Sequence, residues 1–279
     1  MKKRKRRSGI FWVCLIFVAL AAYLVYDSMT NLDVTEYNIS SEALPENLRG
    51  FKIVELSDLH GAEFGENNSE LVARVRAQSP NIITLNGDLV TDAADLEPIK
   101  TLLPQLTEIC PVYFVSGNHD FGSGEIRAIE EMLSDAGVKY LKNESVEIEY
   151  NGSRIILAGV EDPNSWADMI SPDEFALRLR EEYPDDYIVL LGHRNYWVEN
   201  YPSLPVNLIL CGHTHGGIVR IPFAGGLMST DRTFFPEYDA GLFHSGSYDM
   251  IISRGLGDSS SVPRVLNRPE IVVVNLGYH

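Results

Sequence analysis

The chain has 279 residues, 45% of them hydrophobic and 22% charged, which suits one large folded domain or two small ones. Six of its 23 basic residues stand at positions 2–7, so the remaining 17 face 39 acidic ones, a formal charge of −22. Such a surface repels polyanions and offers no stripe for tracking phosphates, which argues against nucleic acid as a partner.

The first predicted element is a membrane segment. After KKRKRR comes the uncharged run Ile10 to Tyr26, about 17 residues, at the short edge of what spans a hydrocarbon core. Trp12, Tyr23 and Tyr26 lie towards its ends, where aromatics suit the interface. The basic cluster is expected to stay in the cytoplasm as residues 1–9, with 10–26 as a single-pass anchor and the catalytic domain outside the cell. Ala19-Leu20-Ala21 resembles a signal-peptidase site, but the apolar run continues past it, which favours an uncleaved anchor. Residues 27–50 read as a polar connector with little pattern. The domain proper is expected to run from 51 to 279.

From there strands and helices alternate. FKIVELS (51–57), NIITL (81–85) and VYFVS (112–116) predict strands. Between and after them, 66–78, 96–108 and 124–136 predict helices, the second carrying Pro104 near its end. This order predicts an α/β fold with a parallel or mixed sheet covered by helices. SVEIEY and SRIILAGV (145–150 and 153–160) are joined by Asn151-Gly152, a strong hairpin signal. A helix over 173–182 follows. Further strands are expected at 187–191, 207–211, 218–221, 248–253 and 270–276. Of the three cysteines, Cys14 sits in the anchor, and the sequence leaves open whether Cys110 and Cys211 are bridged.

The chemistry stands where strands stop. Asp58-Leu59-His60, Asn86-Gly87-Asp88, Gly117-Asn118-His119-Asp120, Gly192-His193 and Gly212-His213-Thr214-His215 each follow a predicted strand, and five of the seven histidines are among them. Ligands of open α/β sheets bind at the carboxyl ends of strands. In extended chain, residues two apart face one way, so Asp58 and His60, and likewise His213 and His215, can aim at one place. Asn118 and His119 are adjacent and should diverge, one towards a metal and one free for proton transfer. His244 and His279 fit no constellation.

These residues resemble the ordered pattern D-x-H, G-D, G-N-H-D/E, lone His, G-H-x-H of the calcineurin-like metallophosphoesterase superfamily, over roughly 51–276. The stretch SRGLGDSSSVPRVLNRPEI resembles its bacterial membrane-associated branch. One departure is GHRNYW around His193, where that branch often has a proline after the histidine. The resemblance implies a four-layer α/β/β/α sandwich and two divalent metal ions (Mn²⁺, Fe²⁺/Fe³⁺ or Zn²⁺). It implies that Asp58, His60 and His215 hold one ion, that Asn118, His193 and His213 hold the other, and that Asp88 bridges both. His119 would bind neither and would protonate the leaving oxygen, with Asp120 placed either to orient or charge it or to cap a helix. Arg194 and Arg254 are more simply structural than phosphate-binding.

The implied activity is phosphoester hydrolysis, most simply of a phosphodiester, with metal-activated water as nucleophile. Gly87-Asp88 is followed by Leu89-Val90, without the D-R-G arginine of the superfamily's protein phosphatases. An anchored enzyme suggests a lipid- or wall-linked phosphoester as substrate. The alternatives are a phosphomonoesterase and a non-catalytic metal-binding scaffold of the same fold.

Overall fold

The computed structural model describes residues 2–165, 170–230, 232–260 and 262–277, with side chains from residue 9 onward. His279 lies outside these residues. The helices are α1 (Lys2–Thr30), α2 (Ser69–Ala77), α3 (Leu96–Thr107), α4 (Asn118–Gly122), α5 (Ile126–Asp135), α6 (Pro172–Glu182) and α7 (Trp197–Asn200). The strands of the first half are β1 (Asp33–Ile39), β2 (Lys52–Leu56), β3 (Ile82–Asn86), β4 (Val112–Val115), β5 (Lys139–Tyr140), β6 (Glu144–Tyr150) and β7 (Ser153–Gly159). Those of the second half are β8 (Tyr187–Leu191), β9 (Leu208–Cys211), β10 (Arg220–Ile221), β11 (Gly225–Gly226), β12 (Gly241–His244), β13 (Asp249–Ile252) and β14 (Glu270–Leu276).

Among the described residues the strands form two six-stranded sheets, ordered β1-β14-β2-β3-β4-β5 and β12-β13-β9-β8-β7-β6, plus the small β10-β11 ribbon. The central strands β3, β8, β9 and β14 are buried at every position. Strands covered on both faces read as continuous apolar runs, as these do. Three layers of packing follow. Leu71, Val75, Ile99, Leu103 and Ile129 of α2, α3 and α5 cover the outer face of the first sheet. Ile53, Val274, Leu157, Val189 and Leu210 fill the space between the sheets. Phe175, Leu179 and Trp197 of α6 and α7 cover the outer face of the second. The result is the expected α/β/β/α sandwich.

Residues 27–50, expected to be a connector, instead supply part of the domain. Asp33–Ile39 pairs in parallel with the whole of β14, from Asp33 against Glu270 to Ile39 against Leu276. Its burial pattern is mostly intermediate because it is an edge strand, so it lacks the apolar run by which a central strand shows itself. The predicted strand over 218–221 shortens to Arg220–Ile221. The Asn151-Gly152 turn has positive φ at both residues, 49° and 78°, as a type I′ hairpin requires. Cys110 packs with the helices of the first sheet and Cys211 with those of the second, so the two lie in different layers and are unbridged.

Candidate metal centre

The site lies where the carboxyl ends of both sheets meet. β2, β3 and β4 of the first sheet are followed by Asp58, His60, Asp88 and Asn118; β8 and β9 of the second are followed by His193, His213 and His215. The loops are laced together by backbone bonds: the Asp58 amide donates to the Gly87 carbonyl (3.1 Å), the His60 amide to the Asp88 carbonyl (3.0 Å), and the Gly212 amide to the His193 carbonyl (3.0 Å).

Five of these residues stand in the left-handed region: Asp58 (φ 52°), His60 (46°), Asp88 (54°), His213 (74°) and His215 (49°). Such backbone costs on the order of 1–3 kcal/mol per residue and persists only where its surroundings enforce it. It also revises the reading from extended-chain geometry. Asp58 and His60 converge through a turn, not along a strand. His213 and His215 do not share a target, because the left-handed backbone at both sends their rings apart. Neighbouring glycines make the close approach feasible: a Cβ on Gly212 would run into Ser57 Oγ and Asp58 Oδ2.

Two groups of side chains result, Asp58-His60-His215 and Asp88-His193-His213, each with ligand atoms within 4.8 Å of one another and each able to hold a metal ion. They adjoin at Asp88. Its Oδ2 lies 3.1 Å from His193 Nε2 and 3.7 Å from His60 Nε2. His215 Nε2 stands 3.3 Å from His60 Nε2 and 3.6 Å from Asp58 Oδ1. His213 Nδ1 stands 3.2 Å from His193 Nε2. Asn118 opens α4 beside them, and the next amide, that of His119, donates to Asp88 Oδ1 at 2.7 Å.

The remaining ring nitrogens are held from outside. His193 Nδ1 donates to the Asn86 carbonyl at 2.8 Å, His60 Nδ1 faces Thr91 Oγ1 at 2.8 Å, and His215 Nδ1 faces the Gly257 carbonyl at 3.3 Å. A proton fixed on Nδ1 leaves the Nε2 lone pair pointing inward. Burial, the largest cause in each case, pushes His60 down to about 3, His215 to about 3 and His213 to about 2, with Arg264 adding to it at His215, and His193 and Arg194 at His213, which favours the neutral imidazoles. Burial also opposes charge on His193, but Asp88 outweighs it and raises the imidazole to about 10. Burial likewise opposes ionisation of Asp88, yet the facing His193 holds its carboxyl well below the ordinary range.

These residues fit cations. Asp88 Oδ2 and Asn118 Oδ1 are buried without a hydrogen-bond partner among the described residues. Orphaned buried oxygens are costly unless something electropositive satisfies them. Carboxylate, imidazole and amide ligands without thiolate match a first-row divalent ion.

Asp120 takes the helix-capping role. Asp120 does not face His119; its carboxylate accepts the amides of Asp88 (2.9 Å), Leu89 (2.8 Å) and Gly117 (2.8 Å), which ties the second and third loops together. Its position three residues after Gly117 makes it the N-terminal clasp of α4, and this geometry wins over contact with the adjacent side chain. The His119 ring meets His60 edge-on, with centroids 5.0 Å apart. Arg254 is structural, pairing with Glu270 (3.0 Å) and Asp33 (3.3 Å), and Arg194 grips Asp162 through two nitrogens at 2.6 and 3.2 Å. Sequence reasoning missed Thr91 and Arg264, whose Nη2 lies 3.2 Å from His215 Nδ1. Nothing in their immediate spacing marks them. His244 is exposed, on Asp249 at 2.7 Å, away from the centre.

A four-layer sandwich with two adjoining His/Asp groups at its strand ends defines a metal-dependent phosphoester hydrolase. Residues 51–217 match the family described as calcineurin-like phosphoesterase. The chain belongs to that family. It is 31% identical over 241 residues to phosphodiesterase YaeI of Escherichia coli, covering 83% of this chain and 84% of that one. It is 27% identical over 290 residues to the metallophosphoesterase YkuE of Bacillus subtilis, covering 99% of both. A transmembrane protein with metallophosphoesterase domain from Danio rerio is 26% identical over 280 residues, covering 94% of this chain and 61% of that protein. In this chain, Gly9–Thr30 is a helix long and apolar enough to cross a membrane, and its most apolar stretch is not buried within the protein.

Proposed function

We propose that the chain is a membrane-anchored phosphodiesterase with two divalent ions (Mn²⁺, Fe²⁺/Fe³⁺ or Zn²⁺), acting outside the cell on membrane- or wall-associated phosphoesters. The carrying observation is Asp88, whose buried Oδ2 faces both histidine groups with no hydrogen-bond partner among the described residues. In this reading Asp58, His60 and His215 hold one ion, Asn118, His193 and His213 the other, and Asp88 both. When bound, the ions neutralise the phosphate's charge and activate the attacking water. The diesterase reading is supported by the likeness to YaeI, and the anchor by α1 and the basic residues that precede it. The domain division follows: residues 1–9 cytoplasmic, the membrane segment from residue 10, and the catalytic domain after it.

The chain's own groups do the remaining work. Asn86, Thr91 and Gly257 orient three imidazoles from behind. His119 is held at the rim by its amide on Asp88 and by its ring against His60. From there its imidazole is placed to hand a proton to the departing alkoxide, a role worth typically about 10²–10⁴-fold. Asp120 acts at one remove by fixing the Asp88 and Gly117 loops.

The test is hydrolysis of bis-p-nitrophenyl phosphate by the full chain in detergent, with Mn²⁺ added and bound metal counted. Turnover that disappears with chelator supports the reading. Two bound ions with no turnover would favour a scaffold that kept the fold and lost the chemistry. Turnover of p-nitrophenyl phosphate alone would favour a monoesterase.

A further inference from the structure

The end of α1 is tied to the metal-bearing domain. Both oxygens of Asp27 accept from Arg268 at 2.8 Å, and the Asn267 amide donates to Ser28 Oγ at 3.3 Å. Asn267 Nδ2 also donates to the carbonyls of His215 (2.7 Å) and Ile218 (3.0 Å). One residue thus links the foot of the helix to the loop that carries a metal-type histidine. Leu32, just beyond the helix, is buried with Leu59 and Leu256. Beside this joint runs a cleft of about 250 Å³, from Met29 on the last helical turn to His60. Phe64 and Leu256 give it an apolar wall; Asp258 and Arg264 give it a polar one.

The length of the helix sets the height of this cleft. Gly9–Thr30 has 22 residues. At about 1.5 Å per residue it is roughly 33 Å long, against a hydrocarbon core of about 30 Å. A helix spanning that core leaves Met29 at the boundary between lipid tails and headgroups, the level at which lipid phosphates sit. Exposed apolar side chains flank the same joint. Leu266 is 45% exposed, Ile221 38%, and Phe223 wholly so. The Arg220 amide donates to the Val265 carbonyl at 2.9 Å, which sets the β10-β11 ribbon beside the segment that grips the helix. Water is a poor neighbour for these groups, and a headgroup layer is a good one.

We propose that the substrate is a phosphoester carried by a membrane lipid, which moves laterally from the leaflet into the cleft between Met29 and His60. The inference rests on the anchored-hydrolase reading above and deepens it. The first carbons of the lipid lie along Met29, Phe64 and Leu256 while the phosphate reaches the His60 end. In the reaction a water oxygen bonds to phosphorus, the ester P–O bond breaks, and the leaving alkoxide takes up a proton. A wall-borne or freely soluble phosphoester gains nothing from the apolar wall.

The experiment places the full chain in phosphatidylcholine vesicles with Mn²⁺ and compares two diesters. Hexadecyl p-nitrophenyl phosphate is dissolved in the bilayer, and methyl p-nitrophenyl phosphate in the water. The hexadecyl ester is expected to turn over at least tenfold faster. Met29→Glu is expected to lower the hexadecyl-to-methyl rate ratio at least fivefold, because a carboxylate blocks the apolar mouth, whereas Met29→Leu keeps the ratio. Equal rates for the two esters, or a ratio that Met29→Glu leaves unchanged, would overturn lipid entry and leave the hydrolase reading standing. Hydrolysis of neither ester by ion-loaded chain would overturn the hydrolase reading itself, and this inference with it.

Discussion

The Asp88 carboxylate faces the His193 imidazole across 3.1 Å, oxygen to nitrogen, with His193 Nδ1 committed to the Asn86 carbonyl. A neutral His193 therefore turns a lone pair towards an anionic oxygen. Only a cation between them, or a proton on Nε2, makes that arrangement stable. The high pKa of His193, about 10, expresses the same demand in protons.

Replacing the carboxylate tests this directly. Asp88→Asn keeps the shape but removes the charge that both histidine groups share. We expect fewer than two ions per chain by metal analysis and a fall in kcat of about 10³-fold or more, several kcal/mol of charge stabilisation. Two tightly bound ions in that variant would contradict a bridging Asp88.

His119 should separate binding from chemistry. His119→Ala is expected to retain both ions, because its ring belongs to neither metal-type group. Its kcat on bis-p-nitrophenyl phosphate should fall by about 10²–10⁴-fold. Since protonation matters most for poor leaving groups, the loss should be larger on a dialkyl diester, whose leaving group is an alkoxide. Activity surviving on both substrates would remove the proton-donor role.

Chelation should cost stability as well as activity. Asn118 Oδ1 has no partner among the described residues, and without a cation Asp88 Oδ2 has only a protonated His193 to satisfy it. At a free-ion concentration about 100 times Kd, binding stabilises by about 2.7 kcal/mol. We expect EDTA to lower Tm by roughly 5–10 °C, with full recovery on adding Mn²⁺. An unchanged melting curve would mean that the groups hold nothing.

Glu55 predicts a pH dependence of the metal-free protein. It is fully buried in β2, with Oε1 on Asn86 Nδ2 at 2.7 Å and Oε2 unpartnered among the described residues. Burial raises its pKa well above the ordinary carboxylate value. The folded chain therefore keeps a proton that the unfolded chain loses near pH 4.3, so stability falls as pH rises from there towards the folded pKa. Glu55→Gln removes that loss. Its Tm advantage over the parent should be a few degrees at pH 8 and shrink towards pH 4.5; an advantage independent of pH would refute the buried-proton account.

Much of this protein is legible in its sequence. The five strand-end motifs name the metal-type residues because strand ends collect ligands in α/β sheets, and apolar runs such as YIVLL and EIVVVNL mark strands covered on both faces. The stretch over 27–50 hides an edge strand because one-sided burial leaves no apolar run, and its partner β14 lies more than 200 residues away. The division of the ligands that the family resemblance implies has its physical cause in the folded backbone. Spacing suggests one target for His213 and His215, and left-handed backbone at both sends them to different groups. Only the fold decides between orienting His119 and capping α4 for Asp120, which accepts three backbone amides, and only it brings Thr91 and Arg264 against the metal-type histidines. The reason is physical. Residue type and local pattern fix which groups can bind a cation, whereas their convergence depends on backbone angles and long-range pairing that no short stretch encodes.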